Sequence, residues 1–284
     1  MDTNFRKYVQ SSYGWINMNQ RHHSGGKLSA VDITKKLHFI MMFFILCLLS
    51  DKGFSENVVV GFGIDKPPFV IGSSKKGLEI DIFREALAYK GHTLEVIHLP
   101  NKRLQKALLT IQGIDAVATV RQVPGDGLYY VDDFIYFDNY AISRKKDNLK
   151  INEISDLVGH SIVAWENAYR DLGATFEELF QPTPPKPYKR YYIEHNSQKG
   201  QNEMFWRGRS QIIIVDETVF KWHRKQLSKK YDTTDEVVYH PIFSGRTYFQ
   251  AAFKSKELAK DFEEGLKHIK RTSVYDHLYK KYTK

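Results

Sequence analysis

The chain has 284 residues, of which 42% are hydrophobic and 14% aromatic, enough for substantial cores and too many for a disordered or low-complexity protein. Its formal charge is +9, but residues 1–55 hold seven Lys or Arg against three Asp, which leaves 35 basic and 30 acidic residues, or +5, for the remainder. Both signs are interspersed there and no Lys/Arg run interleaves with aromatic residues, so the composition speaks against a nucleic-acid-binding protein.

Leu37 to Ser50 is the strongly apolar run of the chain; it follows Lys35 and Lys36 and is too short to span a bilayer comfortably. Basic residues, an apolar core and then Gly53-Phe54-Ser55, with small residues at the first and third places, predict a cleavable secretory signal over 36–55. Cleavage after Ser55 would deliver the mature protein to the periplasm. Residues 1–35 read as a polar leader, disordered or absent from the mature protein. Cys47 is the only cysteine and lies inside the signal, so no disulfide or thiol chemistry is expected after export. Leu46 stands where a lipoprotein would carry a small residue, which argues against a lipid anchor.

From the cleavage site onward, Asn57 to Phe62 is a Val-rich strand, followed by the rigid loop Asp65-Lys-Pro-Pro-Phe. Ile80, Phe83 and Leu87 then recur at helical spacing up to Gly91, and Thr93 to Leu99 returns as a strand. Pro100-Asn-Lys-Arg opens a second helix with Leu104, Ala107, Leu108 and Ile111 on its apolar face, stopped by Gly113. Ile114 to Thr119 is a third strand, and this alternation predicts a parallel sheet with helices on its faces. Thr119 and Arg121 lie at the carboxyl end of that strand, the edge at which open α/β sheets bind ligands. Gly125-Asp-Gly marks a turn, and Phe134 to Ser143 reads as one aromatic strand leaving this unit.

A second unit follows the charged stretch 145–150, with a helical turn at Ile154 to Leu157 and then Gly-His-Ser-Ile-Val-Ala-Trp-Glu-Asn-Ala-Tyr-Arg over 159–170. Here a buried strand runs into Trp165, Glu166, Asn167 and Tyr169 at a helix start, whose unpaired N–H groups favour anions. Stacking faces, a charge and hydrogen-bonding groups at such a junction predict a site. Four prolines between 182 and 187 exclude regular structure. Tyr191 to Glu194 is a strand, Asn202 to Trp206 belongs to a helix ended by Gly208, and Gln211 to Val215 is a buried strand delivering Asp216 at its carboxyl end. Val237 to Tyr239 points back toward the first unit, Tyr248 to Phe253 is another strand, and Leu258 to Tyr282 has helical periodicity.

Gly77-x-x-x-Asp81 opening a helix, Gly113-Ile-Asp-Ala before a strand, and the tail Ala252-Phe-Lys-x-x-x-Leu-x-x-Asp-Phe-x-x-Gly-Leu, in this order, resemble the periplasmic solute-binding proteins of the polar amino-acid uptake family. The resemblance covers residues 57–284. It implies an α/β fold of the type 2 periplasmic binding protein kind, in which two lobes, each a mixed or mostly parallel sheet flanked by helices, enclose a ligand cleft. Lobe 1 would comprise 56–139 and 239–284, with lobe 2, 140–238, inserted and reached by crossings near Asp138 to Tyr140 and Val238 to His240. Family sites carried over by position fall on Lys66, Phe69, Asn101, Ala118, Thr119, Trp165, Tyr169 and Asp216.

One departure stands out. The family's ligand-carboxylate arginine, about a dozen residues after the Asp of Gly-x-Asp, falls at Gly127 when counted from Asp115. Arg121 or Arg103 could substitute, because a guanidinium offers a bidentate fork, although either can equally be a solvated surface residue. Asp216 could take a ligand ammonium or simply cap the next helix. Trp165 suits stacking on a flat or cationic group, or a core. Glu166 could contact ligand or pair with Arg170 across one helical turn.

The expectation is a monomeric, non-enzymatic protein that captures an amino acid or similar zwitterion by lobe closure and delivers it to a membrane ABC permease. A small lyase or dehydratase on the same fold is the alternative, with Glu166 and Asp216 as its only nameable acid–base groups, and a ligand-binding accessory of a sensory receptor is a third reading. There is no Ser/His/Asp set, His-x-x-x-His spacing or phosphate loop, and His22-His23 precede the signal, so neither a metal nor a cofactor is expected.

Overall fold

The computed structural model describes residues 55–72, 74–182 and 191–283. The expected leader, the signal with Cys47, and the proline-rich loop from 183 onward lie outside them. Among the described residues ten strands form two five-stranded sheets. β1 (Asn57–Gly63), β2 (Thr93–Leu99) and β3 (Ala116–Val120) pair in parallel, and β10 (Thr247–Phe253) runs antiparallel between β3 and β4 (Tyr129–Phe137), giving the order β2-β1-β3-β10-β4. The second sheet repeats the plan as β7-β6-β8-β5-β9: β6 (Ile162–Trp165) is parallel to β7 (Tyr192–His195) and β8 (Ile212–Asp216), while β5 (Asn139–Arg144) lies antiparallel between β8 and β9 (Val237–His240). This is the two-lobed α/β architecture with mixed sheets that the resemblance implies.

The chain crosses between sheets at Asp138 and again between His240 and Thr247. The first crossing corrects the single strand expected over 134–143. At Asp138 the backbone leaves the ladder: its N–H donates to Asp216 Oδ2 (2.9 Å) and its C=O accepts from Glu217 N–H (3.0 Å). Two side-chain contacts tie the crossings together, Asn139 Nδ2 to Thr247 Oγ1 at 3.0 Å and Arg246 Nε to Asp138 Oδ1 at 3.3 Å.

In the first lobe, α1 (Leu78–Ala88) and α7 (Lys256–Arg271) cover one sheet face. Phe83 sits at the centre, with its ring 4.2 Å from Phe262, 5.3 Å from Phe134 and 5.5 Å from Phe62, all fully buried. The two helices touch backbone to backbone at Gly265, where a Cβ would come within 1.9 Å of the Ala86 carbonyl oxygen. The helical periodicity over 258–282 is broken into α7 and α8 (Val274–Thr283) by Ser273 at φ 60°. Asp81 of the Gly77-x-x-x-Asp81 motif docks α8, accepting from Tyr282 Oη (2.6 Å) and Lys281 Nζ (2.9 Å). Asp115 of the Gly-x-Asp motif accepts from the N–H of Val59 (2.8 Å) and so locks β3 to β1. Both motif carboxylates therefore hold the fold and not a ligand. α2 (Asn101–Thr110) packs Leu104, Ala107 and Leu108 on β3.

The second lobe carries the short α3 (Ala168–Asp171) and α4 (Ala174–Phe180) on one side, where Phe176, Phe180 and Tyr192 pack together. α5 (Gln198–Trp206) and α6 (Glu217–Leu227) cover another core through Phe205, Trp206 and Phe220. Among the described residues no helix is long and apolar enough to cross a membrane.

Candidate functional site

A cavity of about 530 Å³ lies between the carboxyl ends of the two sets of parallel strands. That is the expected edge, because parallel strands deliver their last residues, and the helices that follow, to one side. Lys66, Asn101, Thr119 and Arg121 line it from the first lobe, and Trp165, Glu166, Asn167 and Asp216 from the second. Four of the expected residues lie elsewhere, among them Ala118, which is fully buried in the core. Phe69 is buried beneath the cleft with its ring 4.5 Å from Phe137, Arg103 is exposed on α2 outside the cavity, and Tyr169 is buried in the second-lobe core, its hydroxyl accepting from Arg170 Nε at 2.9 Å.

The first wall begins at a tight loop in which Lys66 and Val70 exchange both backbone hydrogen bonds at 2.9 Å. Carbonyls of Pro68 and Phe69 accept from the N–H groups of Leu78 and Glu79, satisfying donors at the start of α1. Gly77 permits this approach: at φ 142° it has room only for hydrogen, since a Cβ would lie 2.3 Å from Phe69 O. The result places the fully buried Glu79 against Lys66 (Oε1 to Nζ, 2.6 Å), with Thr119 Oγ1 donating to its other oxygen at 2.7 Å. The Lys66 ammonium also lies 4.4 Å from the centroid of the Phe137 ring. Thr119 holds φ 58°, a left-handed backbone unusual for a β-branched residue and typical of strained functional edges.

Arg121 is committed to partners within the protein. Its Nε donates to Asp171 Oδ1 of the second lobe at 3.1 Å, Nη1 donates to the Tyr248 carbonyl, and the guanidinium carbon lies 4.0 Å from the Phe249 centroid. Trp165 Nε1 donates to the other Asp171 oxygen at 3.2 Å. Burial pushes the Asp171 carboxyl above the usual carboxylate range, against the lowering effect of Arg121. A second ion pair bridges the lobes, Lys102 Nζ to Glu166 Oε1 at 2.6 Å. Glu166 therefore pairs with Lys102 and not with Arg170, whose guanidinium lies over the Tyr169 ring at 5.4 Å and donates to its hydroxyl. The brevity of α3, a single turn, corrects the idea of an anion-binding helix start at Asn167, which is itself left-handed (φ 63°) and makes no side-chain cap.

Asp216 ends β8 and caps α6: Oδ1 accepts from Thr218 N–H (2.8 Å) and Val219 N–H (3.0 Å), Oδ2 from Asp138 N–H (2.9 Å). Its capping role is thus filled, and it still lines the cavity. Burial pushes its carboxyl up to about 7, with the three backbone donors opposing. Sequence reasoning missed Asp171, Phe137, Phe249 and Lys102. Asp171 carried a signal, an acid in the helical turn after Trp165; the two phenylalanines carried none, since strand patterning does not separate a cleft wall from a core.

No protein-family model matches the chain and no curated protein matches it. Solved structures do. The arginine-, lysine-, histidine-binding protein ArtJ from Geobacillus stearothermophilus superposes with TM-score 0.62 at 19% identity, over 80% of this chain and 94% of that one. A histidine kinase sensor domain with similarity to periplasmic binding proteins gives TM-score 0.64 at 16% identity, over 80% and 95%. The ancestral amino acid-binding protein AncCDT-1, a precursor of cyclohexadienyl dehydratase, gives 0.59 at 19% identity, over 84% and 99%. The chain has the fold of the periplasmic binding proteins, and its resemblance to the amino-acid binders among them holds at that level.

Proposed function

We propose that this protein binds a small polar solute of the amino-acid type, an amine-bearing zwitterion, by closing its two lobes over the central cavity. The observation that supports this most is the cavity itself: both lobes line it, two crossings join them, and its walls combine aromatic faces with charges of both signs. Closure follows from ligand contacts made with both walls at once. The N-terminal signal exports the chain to the periplasm, where the loaded monomer hands its solute to an ABC permease in the inner membrane. ArtJ, described as binding arginine, lysine and histidine, supports a solute of the amino-acid type.

The reading is non-enzymatic. Of the two nameable acid–base groups Glu166 is engaged by Lys102, so the free pair that a dehydratase would use is not left in the cavity. The test is a thermal-shift and calorimetric screen of the purified chain against amino acids, polyamines, small carboxylates and sugars. A ligand at a hundred times its Kd stabilises by about 2.7 kcal/mol, visible as a shift of several degrees. Silence across the set, or turnover of any member, would reject the assignment.

A further inference from the structure

The cavity is already bridged at its mouth and is still large. Two ion pairs join the lobes there, Lys102 Nζ to Glu166 Oε1 at 2.6 Å and Arg121 Nε to Asp171 Oδ1 at 3.1 Å. They lie side by side, because Gln105, one turn along α2 from Lys102, holds the Arg121 backbone by both its N–H (3.1 Å) and its C=O (2.7 Å). Both pairs are at contact distance, so the walls approach no further at that place. The cavity keeps its volume of about 530 Å³ from there to a buried end formed by Phe137, Asn139 and Asp216. At about 30 Å³ for each water-sized group that is room for roughly 18 of them, about twice what leucine fills and close to what a dipeptide fills.

The neutral polar groups left free on this lining are carboxamides. Asn101 on the first wall and Asn167 on the second make no side-chain hydrogen bond among the described residues, and Gln198, at the start of α5, buries its Oε1 without a partner. A carboxamide presents a donor and an acceptor together, as a peptide group does. A free amino acid has no neutral group of this sort outside the side chains of Asn and Gln, whereas a dipeptide carries one at its middle. We propose that the solute is a dipeptide, held by closure with its peptide group against Asn101, Asn167 and Gln198. This rests on the solute-binding reading above and deepens it, since a dipeptide is an amine-bearing zwitterion of twice the length. Its peptide N–H meets the oxygen that Gln198 turns toward it, which ends the cost of an unpaired buried acceptor. Its C=O accepts from an asparagine amide, and the ligand then touches both walls at once, as closure requires. A single amino acid enters the same cavity, leaves about half of it to water and leaves these amides unpaired, so it binds more weakly.

The experiment is calorimetry on the purified full chain with alanine, leucine, phenylalanine and lysine, with the dipeptides that these amino acids form, and with the ester analogue of the tightest one, in which oxygen replaces the peptide N–H. The expected result is a dipeptide that binds at least about tenfold more tightly than either of its amino acids, and an ester weaker than its dipeptide by about fivefold, the loss of one neutral hydrogen bond. Asn101→Ala and Asn167→Gly each remove an amide, and glycine keeps the left-handed backbone at 167 without strain. Each variant should shrink the preference for dipeptide over amino acid by about fivefold. A free amino acid that binds as tightly as every dipeptide containing it, or an ester that matches its amide, overturns this assignment while leaving solute binding intact. A preference unchanged in both variants does the same. Failure of every compound in the set to bind overturns both readings.

Discussion

Two buried titratable groups in the second lobe push the pH dependence of stability in opposite directions, and the variants that separate them give a sharp test. His223 on α6 is 4% exposed, its Nε2 has no hydrogen-bond partner, and burial drives the imidazole down to about 4 from 6.5. The unfolded chain then binds a proton that the folded chain refuses, so stability is lost as pH falls from 6.5 toward 4, by about 3 kcal/mol in all at 1.36 kcal/mol per unit. Asp216 is the reverse. Its folded value of about 7 lies above the reference of 3.8, so the folded chain holds the extra proton and stability is lost as pH rises from about 4 to 7, by about 4 kcal/mol. The two nearly cancel in the unmodified protein. His223→Phe keeps an aromatic in the site and unmasks Asp216, so stability relative to the parent should improve on acidification by about 3 kcal/mol between pH 7 and 4. Asp216→Asn keeps an oxygen to cap Thr218 and Val219 and unmasks His223, so its relative stability should fall over the same interval by about 4 kcal/mol. Urea unfolding of the three proteins at half-unit pH steps measures both. Curves for either variant that run parallel to the parent would show that these groups are not buried as described.

The other predictions concern packing and the cleft. Gly265→Ala should lower stability by about 1–3 kcal/mol despite the gain in helix propensity, because α1 and α7 must move apart to admit the methyl group; thermal unfolding reads this, and an unchanged or raised Tm refutes the contact. Glu79→Gln leaves the Lys66 ammonium, at 17% exposure, without its counter-charge and should cost about 3–5 kcal/mol, with most of it recovered on adding Lys66→Met; denaturant titration of the single and double variants shows whether the recovery occurs. On the proposed reading, with Asp216 taking the amino group of the solute, binding should weaken up to about tenfold for each unit of pH below about 7 as that carboxylate takes up its proton. A flat affinity between pH 7 and 5 would remove Asp216 from that role.

Much of the plan was legible in the chain because it is written locally. The alternation of Val-rich or Ile-rich runs with helical spacing at Ile80, Phe83 and Leu87 specifies parallel strands and covering helices, and this in turn specifies which edge is open. Thr119, Trp165 and Asp216 could be nominated on that ground alone, as residues at or next to the ends of strands on that edge. What the sequence could not supply were distances between residues far apart in the chain. Arg121 and Asp171 are 50 residues apart, Lys102 and Glu166 meet across two lobes, and Arg121 reaches the Tyr248 carbonyl over a separation of 127. Charge state and availability are properties of those long-range pairs. A guanidinium read as free in the sequence is neutralised in the fold, and an aspartate read as either cap or ligand keeps both possibilities, because capping uses neutral donors and leaves its charge uncompensated. Local pattern determined where the cleft is; only the tertiary contacts decided which of its charges is left to meet a ligand, because counter-charges are assigned by proximity in space.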